Sequence, residues 1–152
     1  MARRVLRVYA DTSVFGGCFD DQYAEASRRF FEHVRAGRFR LVVSDTILLE
    51  LTHAPEEVRR VLAGLPPKNV EYVPGSEEME LLRDAYVAAS VVGPASARDA
   101  EHIAAASIAD VDIVVSWNFK HIVHYEKISG YQGVNLLKGY RAVRIHSPSE
   151  VI

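Results

Sequence analysis

Five short apolar runs recur along the chain: VLRVYA (5–10), RLVV (40–43), VEYV (70–73), DIVVS (112–116) and AVRIH (142–146). Each reads as a strand, and all but the last gap between them hold stretches with clear helical spacing or helix start signals. Between the first two, Tyr23, Ala26, Phe30, Phe31 and Val34 place one apolar face on a helix over about 21–36, and Gly37 stops it. Ser44 or Asp45 can cap TILLELTHA (46–54), Pro55 opens PEEVRRVLAG (55–64), Ser76 starts a helix over 76–92, and Ser96 caps ARDAEHIAAASIAD (97–110). The segment 119–140 between the last two strands reads as mixed helix and loop. Strands that alternate with helices need crossover connections, so the pattern predicts an α/β fold with a mostly parallel sheet covered on both faces. At 152 residues the chain suits a single domain over 1–152, with no internal repeat, linker or low-complexity segment.

Composition removes several classes of function. Hydrophobic and charged shares of 49% and 25% are those of an ordinary globular protein. No apolar run approaches the roughly 20 residues of a membrane span, so no membrane partner is expected. MARRVLRVY is charged, but its apolar part is too short for a signal peptide. One cysteine, Cys18, excludes an internal disulfide and fits a reducing cytoplasm. A net charge of −2 gives no bulk argument for nucleic acid, although arginines gather at Arg3, Arg4 and Arg7 and again at Arg28, Arg29, Arg35, Arg38 and Arg40. Those side chains could line a phosphate path or simply solvate helix faces. No G-x-x-x-x-G-K-[ST] or G-x-G-x-x-G loop is present.

Ligands of open parallel sheets bind outside the carboxyl ends of the strands. Asp11 stands at the carboxyl end of the first run, in VYADTSVFGG, where it could also serve as a turn residue or cap. Glu50 falls with Ile47, Leu51 and Ala54 on the apolar stripe of its helix, so its charge requires an arginine, a hydrogen-bond network or a cation, unless it snorkels outward. Asp99 fits the S-x-x-D form of a capping box with Ser96, and it also lies at a helix start, on the same side of the sheet as Asp11. Asn118 follows the fourth strand, whereas Asp112 is at that strand's opposite end, roughly 20 Å away at about 3.3 Å per residue. Three carboxylates and an amide oxygen form a hard-oxygen set suited to Mg²⁺ or Mn²⁺ and to metal-assisted phosphodiester hydrolysis.

VYADTSVFGG, SDTILLEL, ARDAEHIAAASIADVDIVVSWNFKHI and IHSPSEVI together resemble the PIN-domain family, in particular the VapC-type ribonuclease toxins of toxin–antitoxin pairs. The resemblance places the family's acidic positions on Asp11, Glu50 and Asp99 and its fourth on Asn118, which supplies an oxygen but no charge and argues against a second metal ion. It implies a three-layer α/β/α sandwich and Mg²⁺- or Mn²⁺-dependent cleavage of single-stranded RNA regions. It also implies a homodimer and a cognate antitoxin protein that inserts a segment near the active site. The competing expectation is a catalytically weakened PIN-like module that binds RNA or a protein partner. A phosphatase using Asp11 is disfavoured because Asp11-Thr-Ser13 lacks the second carboxylate of D-x-D-x-T. Among other candidates, Cys18 has no activating base in sequence, and His102, one turn beyond Asp99, reads as a packing histidine. His121 and His124 lack a third ligand. Trp117 reads as packing with a possible stacking role, and Lys120 as a phosphate contact or a surface lysine.

Overall fold

The computed structural model describes residues 4–152, so Arg3 lies outside the described residues. Five strands form one all-parallel sheet in the order β3-β2-β1-β4-β5, with β1 at Leu6–Ala10, β2 at Phe39–Ser44, β3 at Val70–Val73, β4 at Ile113–Val115 and β5 at Ile145–His146. Seven α-helices connect them: α1 (Thr12–Gly17), α2 (Ala24–Arg35), α3 (Asp45–Thr52), α4 (Glu56–Ala63), α5 (Glu77–Ala88), α6 (Ala97–Ile108) and α7 (Tyr125–Leu137). Helix α1 packs on α2 and α4, and α5 packs on α6 and α7, giving the expected α/β/α sandwich. The central strands are buried on both faces: Val8, Tyr9, Ala10, Leu41, Val42, Val114 and Val115 expose nothing to solvent. Such double burial is why these runs read as continuous apolar stretches rather than alternating ones.

Helix ends follow local chemistry. Gly37, at φ +77°, closes α2 with its N–H on the Val34 carbonyl. Ser44 caps α3 by accepting the Ile47 N–H, and Ser76 caps α5 by accepting that of Met79. The helix expected to reach residue 92 ends at Ala88, because Ser90 turns left-handed at φ 58° and the Val91 N–H closes on the Tyr86 carbonyl at 3.0 Å. Asp110 ends α6 in the same way at φ 54°. The mixed segment resolves into a loop followed by the 13-residue α7, and the last strand keeps only two of its five expected residues.

Strand order reverses beside β1. The first three strands progress outward as β1, β2, β3, and the chain then returns to lay β4 on the other side of β1. The crevice at the carboxyl ends of β1 and β4 is therefore the topological switch point, where open parallel sheets receive their ligands.

Candidate active site

Asp11 sits at that switch point. Its N–H donates to the Val115 carbonyl at 3.3 Å, which carries the β1–β4 pairing one residue past the strand. The residue is 4% exposed and occupies the position before α1. Its carboxylate makes no cap hydrogen bond to that helix, so the turn-or-cap reading of its side chain does not hold. It accepts instead from the Ser13 hydroxyl at 2.5 Å and the Ser116 hydroxyl at 2.8 Å. Each hydroxyl gives its single proton to Asp11 and takes a backbone N–H from the loop after β4: Ser13 that of Trp117, Ser116 that of Asn118, both at 2.9 Å. Burial pushes the Asp11 carboxyl above its usual range, with the charge of Glu50 adding to the rise and His102 and the two hydroxyls opposing it.

Glu50 finds its partner in His102 rather than in an arginine. One of its oxygens, Oε1, takes the Thr12 hydroxyl and His102 Nε2, each at 2.6 Å. The imidazole is 2% exposed, and its other nitrogen lies 2.7 Å from the Tyr9 hydroxyl, which in turn lies 2.8 Å from the Ser44 hydroxyl. Ser44, Tyr9, His102, Glu50 and Thr12 thus form one polar chain through a layer that is otherwise apolar. The Tyr9 hydroxyl can donate to Nδ1 of a neutral imidazole, or accept from Nδ1–H of a charged one while donating to Ser44, so the chain accommodates both forms. Burial works against a charged His102, but the Glu50 hydrogen bond and the charges of Asp11, Glu50 and Asp99 outweigh it and raise the imidazole above its usual value. Burial would raise Glu50 too, yet the bonds from His102 and Thr12 prevail and hold it below the ordinary carboxylate range.

Asp99 lies half-buried in the first turn of α6, three residues before His102 and so on the same face of the helix. Its carboxylate takes no hydrogen bond or ion pair among the described residues, while its charge is felt by His102 and Tyr131. The expected capping box is absent. Residues Pro94–Ser96 form a 3-10 turn that runs straight into α6, which leaves Ser96 without the extended backbone of a cap, and its hydroxyl lies 3.3 Å from His121 Nε2. Asn118 uses its side-chain oxygen to accept the His121 N–H at 2.9 Å, stabilising its own turn, and reaches Asp11 only through Ser116. The structure therefore sets Glu50 on His102, brings the charges of Asp11 and Asp99 to bear on the same imidazole, and links Asn118 to Asp11 only by its backbone N–H through Ser116. Asp112 is at the opposite edge, bound to Arg4 and to the Arg7 N–H.

Among the described residues no three His, Cys, Asp or Glu side chains close into a metal-ligand group. The donors nevertheless suit a hard divalent ion: carboxylate oxygens from three neighbouring segments, with Glu50 Oε2 and the Asp99 carboxylate free of hydrogen bonds among those residues. Cys18 is buried, and burial pushes its thiol up to about 11, which disfavours the thiolate that nucleophilic attack needs. The sequence placed neither Tyr9 nor Ser44 in the site. A hydroxyl-bearing ring inside an aliphatic strand was the available signal for Tyr9, and Ser44 was masked by its second role as a helix cap. No helix among the described residues is long and apolar enough to cross a membrane. No protein-family model matches the chain, and comparison with curated proteins returns no match.

Proposed function

We propose that this chain is a Mg²⁺- or Mn²⁺-dependent endoribonuclease, with Asp11, Glu50 and Asp99 holding the ion and Asn118 offering its amide oxygen nearby. The reading rests on one observation above others: at the switch point of a parallel sheet Glu50 bonds a buried histidine on which the charges of Asp11 and Asp99 also bear, and among the described residues no arginine bonds to any of the three carboxylates. A bound divalent ion supplies polarisation of the phosphate and acidification of water. The chain's own groups divide the remaining work. Thr12 and His102 hold one oxygen of Glu50 and favour its ionised form, leaving the other free of hydrogen bonds among the described residues. Ser13 and Ser116 each donate a hydroxyl to one oxygen of Asp11 and so fix the orientation in which that carboxylate would meet the ion.

The test is incubation of total RNA with the purified protein and Mn²⁺ or Mg²⁺, with mapping of cleavage ends. Cleavage should require the ion and disappear with a chelator or with Asp11→Asn; cleavage that survives both overturns the assignment. Commitment of the Asn118 oxygen to its own turn favours a second reading, a catalytically weakened module that binds RNA or a protein. Mn²⁺ titration separates the two, since the module reading requires no measurable affinity and no gain from Asn118→Asp. A cognate antitoxin, a homodimer and a cytoplasmic setting belong to the nuclease proposal. A neighbouring reading frame whose product suppresses toxicity would support the first.

A further inference from the structure

Beside the carboxylates stands a cluster of aromatic rings that the proposed hydrolysis does not use. Trp117 and Tyr23 stack with centroids 4.2 Å apart and planes 17° from parallel. Phe119 leans over both, 6.2 Å from Trp117 and 6.5 Å from Tyr23, and is 45% exposed. The ring of Trp117 is seated rather than loose. Its indole N–H donates to the Ser27 hydroxyl at 2.8 Å, and Gly17 leaves the room for that bond: a Cβ there would lie 2.5 Å from Ser27 Oγ and 2.9 Å from the indole nitrogen. The backbone of Trp117 is tied to the candidate site itself, because its N–H donates to the same Ser13 hydroxyl that binds Asp11.

We infer that Phe119, backed by Trp117 and Tyr23, is a stacking surface for a nucleobase of single-stranded RNA next to the phosphate held at Asp11. This deepens the nuclease reading and rests on it for the choice of ligand. Three features favour a base. A flat, half-open ring supported by a fixed aromatic pair offers a π-face that any base can cover. Lys120, next to Phe119 in sequence, is exposed and enters no ion pair among the described residues, so it is free for a phosphate. The Trp117 N–H shares the Ser13 hydroxyl with Asp11, which places the backbone of this aromatic segment beside the candidate site. A duplex, whose bases are already stacked, cannot use such a surface.

Trp117 is the chain's single tryptophan, so its fluorescence reports on this cluster alone. Titration with a short single-stranded RNA in EDTA should quench and shift that emission, while a duplex of equal length should not. Phe119→Ala should weaken the single-strand affinity about tenfold, the loss of one stacked base, and Phe119→Tyr should retain it. Unaltered thermal unfolding of both variants shows that the fold is intact. Equal affinity of Phe119→Ala and the parent chain, or equal quenching by duplex and single strand, overturns the inference. Loss of metal-dependent cleavage with the quenching intact would remove the nuclease reading alone. Intact cleavage with an unchanged KM in Phe119→Ala would remove the stacking surface alone.

Discussion

The two edges of the sheet use the same residue types to opposite ends. At the amino edge, Asp112 accepts the Arg4 guanidinium at 2.6 Å and the Arg7 N–H at 2.8 Å. The Arg7 guanidinium donates to the Ala109 and Asp110 carbonyls and pairs with Glu71, and Arg141 pairs with Asp110 at 2.6 Å. Negative charge there is met by fixed positive charge. At the carboxyl edge, Asp11 is met by two hydroxyls, Glu50 by a hydroxyl and an imidazole, and Asp99 by no hydrogen bond among the described residues. Helices that follow parallel strands start on that side, and their amino ends favour carboxylates without neutralising them. The amino edge is therefore closed electrostatically, whereas the carboxyl edge retains negative charge that a cation or a proton can answer.

Four experiments break or sharpen that contrast. The largest effect is expected from Asp11→Asn, which should reduce metal-dependent RNA cleavage by about 100-fold or more. Because the buried Asp11 charge is a burden to the fold, the same variant should unfold no earlier than the parent chain, and up to roughly 3 °C later. His102→Ala comes next. It strips Tyr9 and Glu50 of a shared partner inside the protein and should cost about 3 kcal/mol in urea unfolding, so a change near zero would mean that the polar chain is dispensable. Asp112→Ala should cost roughly 2 kcal/mol by the same measurement while leaving cleavage per folded molecule unchanged. A parallel fall in cleavage would erase the distinction between the edges.

The smallest effect is a matter of pH. His102 is raised on folding, so its contribution is complete below its ordinary value of about 6.5 and fades as pH rises through the folded value. Glu50 is lowered, so its contribution is complete above about 4.5 and fades as pH falls through the folded value. Asp11 acts in the opposite sense to Glu50, since its cost grows as pH rises from about 3.8 through its raised value. Stability measured against pH should therefore decline above about 6.5, and His102→Gln should flatten that decline. An unchanged slope in the variant would place the titrating group elsewhere.

Much of this architecture was legible from the chain. Apolar runs buried on both faces announce parallel strands, and caps such as Ser44 and Ser76 act within one helical turn, so neighbouring residues suffice to identify them. Glu50 on an apolar stripe correctly required a partner inside the protein. Its identity was not legible, because His102 is 52 positions away and Tyr9 a further 41 from Glu50 in the other direction. Helix ends set by left-handed Ser90 and Asp110 were missed for a different reason: neither residue type demands that conformation, and the closing bonds depend on how the next segment packs.

Sequence by itself determined the α/β class, the parallel sheet, and the placement of Asp11 at a strand end, Asp99 at a helix start and Glu50 on the apolar stripe of a helix, because these follow from periodicity and from the short range of capping. Tertiary structure alone decided what surrounds them. Return of β4 to the far side of β1 created the switch point and brought Ser116 to Asp11; packing of α6 beside α3 delivered His102 to Glu50. It also made Asn118 the keeper of a turn and moved Trp117 into a seat formed by Ser27 and Gly17. Hydrogen bonds and screened charges act over a few ångströms, so partners a hundred residues apart in sequence become a site only when the fold sets them side by side.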